Sequence, residues 1–211
     1  MKKPLVLWLK DIRPEHKNLV GGKGVKLAEL YCELTSQGIS VPDGFVLTTE
    51  AWNLFTSFPG IKLYLQATLA KLDHKDTESL FASSAHMRRE VERASMPLVV
   101  HGLLEENYRR MEEMFWPDVD VAVRSSAVTE DLDDASFAGQ HDSYLNVRGA
   151  EDLAQFVKHC FGSLFTNRAI SYRHEKGFPI FPEDGIAVVV QKMVRSDKAC
   201  SGVAFSIDPV S

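Results

Sequence analysis

The sequence predicts an α+β fold, and three observations carry that prediction. Alternating apolar residues at 121–123 and 144–147 flank a polar, glycine-containing stretch, as two strands with a long connection between them do. Between residues 61 and 115 the apolar spacing is helical throughout. Two β-branched runs, residues 185–194 and 201–208, follow late in the chain and read as further strands.

Taken in order, the apolar residues 4–9 form a first strand. Lys2 and Lys3 precede them, yet the run is too short for the apolar core of a secretion signal, and charge follows at once. Val20-Gly21-Gly22-Lys23-Gly24 comes next, then a helical pattern from Val25 to Gln37 with a broad apolar face that includes Leu27, Ala28, Leu30 and Tyr31. Gly38 stands where a helix ends in left-handed backbone. Residues 41–44 are a turn and 45–48 a strand, and Thr49 caps a short helix through Phe55. Asp73–Asp76 and Pro97 divide the helical middle section, whose last helix turns Leu103, Tyr108, Met111 and Phe115 to one side. Helices are expected from about 150 to 164 and from 166 to 175, and residues 178–182 are a rigid proline-containing connector.

The bulk properties exclude several classes. At 211 residues the chain can build one substantial domain or two small lobes. Its apolar fraction of 45% and charged fraction of 25% are those of an ordinary soluble protein. A net charge of -5 gives no general attraction to nucleic acid or to an anionic membrane, so an anion site must be built locally. No apolar run approaches the roughly 20 residues that span a bilayer. Cys32, Cys160 and Cys200 are widely separated and lack metal-ligand spacing, which points to reduced thiols in a cytoplasmic protein. The histidines show no zinc-binding pattern either.

The stretch 121–147, VAVRSSAVTEDLDDASFAGQHDSYLNV, carries the strongest chemical signal. Arg124 at a strand end offers a planar fork of donors suited to phosphate oxygens. Ser-Phe-Ala-Gly-Gln at 136–140 is small enough for backbone amides to approach a ligand. From the residues alone this is either a polyphosphate cradle or a solvated hairpin whose Arg124 pairs with Glu130 or Asp131. Lys23 lies in a glycine cluster before a helix, where an anion is favoured. Neither a Walker A loop nor a dinucleotide fingerprint can be drawn through it, since Leu27 occupies the third glycine position. A tight turn with an exposed lysine is the competing reading. The acidic group Glu130, Asp131, Asp133 and Asp134 reads as a charged surface loop rather than a metal site.

Both motifs, in this order, resemble the nucleotide-binding region of the phosphoenolpyruvate synthase and pyruvate phosphate dikinase family. The 121–147 stretch is similar to the family pattern VRSSA..ED...ASFAGQ...YLNV, and GGK followed by a helix and VPDGF is how that family begins. The resemblance continues through SLFTNRAISYRHEKGF at 163–178 and VVVQKMVRSDKACSGVAFSIDP at 188–209, and is weakest from about 60 to 118. It implies an ATP-grasp amino-terminal lobe over residues 1–190, with a helical insertion at about 60–116, and the first strands of a second lobe over 191–211. It implies ATP-phosphate contacts for Lys23 and Arg124, further contacts from the Gly139 backbone and the Ser143 hydroxyl, and an adenine site near Gln191 and the backbone of 192–194. Lys23 and Arg124 would also supply the catalytic charge. It places the Mg2+ ligands outside this chain, so no metal ligand is assigned here.

In such an enzyme ATP phosphorylates a histidine on a separate domain, which then phosphorylates pyruvate to give phosphoenolpyruvate. The partners implied are ATP, pyruvate and the remaining domains of the same polypeptide. The ending at Pro209-Val210-Ser211, directly after a strand, suggests a fragment, inactive alone. A stand-alone nucleotide-binding or regulatory module is the alternative, as is the ATP-binding part of a related dikinase such as rifampicin phosphotransferase.

Overall fold

The structure, a computed structural model, describes residues 3–58, 60–73, 76–128, 131–132, 135–136, 143–195, 198 and 200–202. The described residues form β1 (Val6–Trp8), α1 (Lys17–Ser36), β2 (Gly44–Leu47), α2 (Thr49–Ser57), α3 (Ile61–Ala70), α4 (Thr77–Arg93) and α5 (Leu98–Met114). After these come β3 (Val121–Ala127), β4 (Asp131–Leu132), β5 (Ala135–Ser136), β6 (Ser143–Val147), α6 (Ala150–Gly162), α7 (Asn167–Glu175) and β7 (Ile186–Lys192). Five strands make one antiparallel sheet in the order β1-β2-β7-β3-β6, and β4 and β5 pair as a small ribbon within the β3–β6 connection. The fold is α+β, as the periodicities predict.

The last long strand in sequence lies at the centre of the sheet. Ile186 to Val190 are all buried, which is what a continuous β-branched run requires when both faces are covered. Along β2 and β7 alternate residues divide between two cores, and β3 contributes to the larger one. Phe45, Leu47, Val121, Val123, Val188 and Val190 face a large core shared with α2 to α7. Val46, Ala187 and Val189 face a small one shared with Val20 and Ala28 of α1. On the large side, Trp52 lies against Phe55, Phe161, Phe165 and Phe181 at centroid distances of 5.4 to 6.3 Å. Such aromatic clusters favour offset and edge-to-face geometry. The Trp8 indole also donates to Asn107 Oδ1 at 2.8 Å, tying the edge strand to α5.

Several local expectations change. The helix around Lys23 starts earlier, at Lys17, and is interrupted at Gly21, whose φ of 71° and ψ of 173° are not helical. Its buried side is narrower than the apolar face in the sequence: Ala28 is buried, while Leu30 is 51% exposed. Thr48, not Thr49, precedes α2, and neither side chain caps it. The Thr48 hydroxyl donates instead to Pro4 O, and the Thr49 hydroxyl to Asn18 O. In α5 it is Leu104, with Val100, Tyr108 and Met111, that is buried, while Leu103 is only partly so. Helix α6 ends at Gly162, and Thr166 caps α7 through Ala169 N. Gly38 ends α1 with φ of 81° as expected. The run at 201–208 lies almost entirely outside the described residues.

Candidate functional site

Arg124 sits within β3, not at its end, because β3 pairs with β7 over all seven of its residues. It is the one exposed residue of that strand. Its direct neighbours across the sheet are Ser143 of β6 on one side and Val189 of β7 on the other. Ala122 and Gln191 form the next pair in the row below. The strand alternation that sends Val121 and Val123 into the large core therefore turns Ala122, Arg124 and Ser126 to the face where α1 lies.

Lys23 reaches this face from α1. The kink at Gly21 starts a new helical segment, so Lys23 occupies its first turn. Its ammonium donates to the backbone carbonyl of Ser125 at 3.3 Å. A cleft of about 210 Å³ between α1 and the sheet is lined by Lys23, Lys26, Leu27, Leu30, Arg124 and Val189. A second, of about 390 Å³, continues from Arg124 past Ala122, Ser143, Leu145 and Gln191 to Met193 and Val194. Arg124 lines both. Arg124 thus joins a cleft that holds two further cations, Lys23 and Lys26, to one that mixes Ser143, Gln191 and Lys192 with apolar side chains.

Of the residues predicted from sequence, Lys23, Arg124, Ser143 and Gln191 all come to this one face. Gly139 lies outside the described residues. The Gln191 side chain is more constrained than its position suggests: its amide nitrogen donates to Pro42 O at 2.9 Å. Of the amides expected to meet a base edge, Lys192 N donates to Asp43 O and Met193 N to Asp120 O. The amides at the helix start are not all open to an anion either, because Gly24 N donates to Ser126 Oγ. Burial and the neighbouring Asp43 carboxylate raise the Tyr31 hydroxyl above its ordinary pKa, and that contact ties α1 to the start of β2.

Sequence reasoning missed Lys26 and Ser126. Lys26 stands three positions beyond Lys23, hence on the same helical face, and that spacing was a usable signal. Ser126 is the second serine of the RSS stretch, and its partners are more than a hundred residues away. Asp131 falls in β4, whereas Glu130, Asp133 and Asp134 lie outside the described residues. Elsewhere, His101 bridges Glu105 of α5 and Glu151 of α6 at 3.7 and 3.4 Å, and both carboxylates are largely open to water. That group reads as a polar contact between α5 and α6. Among the described residues no helix is long and apolar enough to cross a membrane.

The family model for the pyruvate phosphate dikinase AMP/ATP-binding domain matches residues 17–211. The chain belongs to that family. Among relatives, it is 48% identical over 206 residues to a probable phosphoenolpyruvate synthase of Archaeoglobus fulgidus, covering 98% of this chain and 26% of that protein. It is 42% identical over 207 residues to the probable phosphoenolpyruvate synthase of Methanocaldococcus jannaschii, covering 98% of this chain and 17% of that one. With the phosphoenolpyruvate synthase of Escherichia coli K12 it shares 40% over 210 residues, or 99% and 26%. The chain thus spans about a quarter or less of the length of these relatives.

Proposed function

We propose that this face binds ATP as the amino-terminal part of an ATP-grasp module in a phosphoenolpyruvate synthase-like phosphotransferase. The observation that carries the proposal is the convergence of Lys23 from α1 and Arg124 from β3 on one cleft, which shares Arg124 with a second cleft along the sheet. Lys23 and Arg124 hold the phosphates, with Lys26 beside them. Ser143, opposite Arg124, offers a hydroxyl to the same group, and the family resemblance adds Gly139 as a further contact. The base lies toward Ala122, Leu145 and Val194. Its edge pairs with backbone groups of 192–194 other than the Lys192 and Met193 amides, which are already engaged. Gln191 shapes this end through its bond to Pro42. Phosphoryl transfer depends on positioning and charge neutralisation, and two cations set by different elements supply both.

Among the described residues, the lining of both clefts presents cations, hydroxyl and apolar groups and no carboxylate. That donor set does not fit Mg2+, a hard cation that takes carboxylate oxygens. The Mg2+ ligands therefore belong to the second lobe, which begins at about residue 191, in the part of it outside this chain. Strand β7 carries the chain across that boundary, through Gln191 and Lys192. In the whole enzyme, the phosphoryl group passes to a histidine on another domain and from there to pyruvate, in the cytoplasm.

Titration of the isotopically labelled chain with ATP, followed by its amide resonances, tests the site. Shifts should concentrate on residues 21–27, 122–126 and 143–145, and Arg124→Ala should abolish them. Shifts confined to the α5–α6 side would overturn the assignment. The chain alone should bind ATP weakly and release no phosphate; sustained hydrolysis by the pure chain would show that the essential groups are all present within it.

A further inference from the structure

Lys23 and Arg124 belong to elements far apart in sequence, and something must set their relative position. The contact that joins those elements is made by Ser126, which is fully buried. Its hydroxyl donates to Val20 O at 2.7 Å and accepts from Gly24 N at 3.1 Å. One side chain thus satisfies the last carbonyl before the break in α1 and an amide just after it. Gly21, at the break, lies so close that a Cβ there would stand 2.4 Å from Ser126 Oγ and 2.5 Å from Ser126 O. The next residue but one, Lys23, then donates to Ser125 O. Arg124 is two residues before Ser126 on the same face of β3.

We propose that Ser126 is a positioning residue: by bridging Val20 and Gly24 it latches the broken helix onto β3 and fixes Lys23 beside Arg124. The proposal rests on the nucleotide-binding reading of this cleft. A side chain that only stabilised the fold would act on every ligand alike. A latch that sets the spacing of two phosphate-binding cations acts on the polyphosphate and much less on the base and sugar. The bridge closes on α1 at its kink, where the Gly21 backbone leaves helical geometry. Loss of the hydroxyl leaves a buried carbonyl and a buried amide without their partner, which favours release of the segment.

The test compares Ser126→Ala with Val157→Ala in the 211-residue chain. Val157 is buried on α6 in the other core, so its truncation lowers stability without touching the latch. Amide exchange at Gly24 is measured without ligand. Binding of ATP, inorganic tripolyphosphate and AMP is then measured by resonance titration. In Ser126→Ala, Gly24 should exchange at least about tenfold faster, and ATP and tripolyphosphate should bind about tenfold more weakly, with a smaller change for AMP. Val157→Ala at matched melting temperature should leave Gly24 protection and the ATP-to-AMP ratio as in the parent. Should Ser126→Ala not fold, Ser126→Cys, which keeps a weak donor and acceptor, gives the same readouts at smaller amplitude. Unchanged protection at Gly24 overturns the latch. Faster exchange with an unchanged ATP-to-AMP ratio overturns the positioning role and leaves the cleft reading standing. Absence in the parent of any ATP binding that Arg124→Ala weakens overturns the cleft reading and the positioning role with it.

Discussion

The two faces of the five-stranded sheet are built from the same strands and do different work. On one, Phe45, Leu47, Val121, Val123, Val188 and Val190 meet a thick layer of helices and a cluster of aromatic rings. On the other, Val46, Ala187 and Val189 meet α1 and the buried Leu9 and Ile12 in a small core, Ser126 ties α1 to β3, and Arg124 and Ser143 stand exposed. The first face supplies rigidity through density of packing. On the proposed reading the second uses that rigidity, because a site on the far face of a close-packed sheet moves little when a ligand arrives. On that reading, substitution of the exposed Arg124 acts on binding and substitutions on the packed face act on stability.

The largest effect is expected from Trp52→Ala, which empties the centre of the aromatic cluster on the packed face. Truncation of a fully buried Trp or Phe costs about 3–5 kcal/mol, and Trp52 is 1% exposed. Urea unfolding should show the whole chain losing stability cooperatively; loss confined to α2 would mean that the two faces are not one cooperative unit. Gly21→Ala attacks the other face. A φ of 71° disfavours any Cβ, and this one would overlap Ser126. The cost is about 2–4 kcal/mol. Unlike the Trp52 change, it should appear first as local release of residues 17–27 in amide exchange, with the packed face still protected.

The difference between the faces also decides what could be read from sequence. Helices on the packed face announce themselves by periodicity: α6 and α7, their junction at Thr166 and the breaks at residues 73–76 and Pro97 follow from local spacing alone. Even there, Leu104 rather than Leu103 is the buried residue, because a single step around the helix is below what a pattern of neighbours can fix. On the open face the residue types were legible, since Arg124, Lys23 and Ser143 carry chemistry in their side chains. Their constraint was not. The interruption at Gly21, the Ser126 bridge and the bond from Gln191 to Pro42 are contacts between residues a hundred or more positions apart, and no local period encodes them. The extent of β3 was missed for the same reason: its partner β7 comes some sixty positions later.

A smaller effect sharpens the comparison at the end of the sheet, where the helical layer meets the strands. Tyr108, 3% exposed, donates to Val119 O at 2.9 Å and accepts from Gly149 N at 2.8 Å. Tyr108→Phe should cost about 1–3 kcal/mol at neutral pH, since both backbone groups lose their partner. Burial raises the Tyr108 hydroxyl above its ordinary value; the Gly149 amide opposes this, and nearby Glu112, Asp118 and Asp120 add to it. A raised folded-state pKa means that this stabilisation is complete below the unfolded value near 10 and is lost as pH rises through the folded one. Denaturation midpoints taken across that alkaline window should fall more steeply for the parent than for Tyr108→Phe. Parallel slopes would show that the hydroxyl does not titrate with unfolding.

The smallest effect on stability, and the most telling, is expected from Arg124→Lys. Arg124 is exposed among buried neighbours on β3, so the packed face should not register the change, and stability should stay within about 0.5 kcal/mol of the parent. Lysine keeps the charge, so long-range attraction for an anion survives. What it loses is the planar fork that can engage two phosphate oxygens at once. Binding of ATP should therefore fall while the melting curve stays in place, and Arg124→Ala should lower it further without adding much to the stability change. If Arg124 instead serves as a structural ion-pair partner for the acidic stretch that follows it, the order reverses. The melting temperature would then drop, most for Arg124→Ala, nucleotide binding would persist, and added salt would weaken the parent more than Arg124→Ala. Measuring both quantities on one preparation across a salt series separates the two cases, because screening acts on an exposed ion pair and on a phosphate contact through different observables.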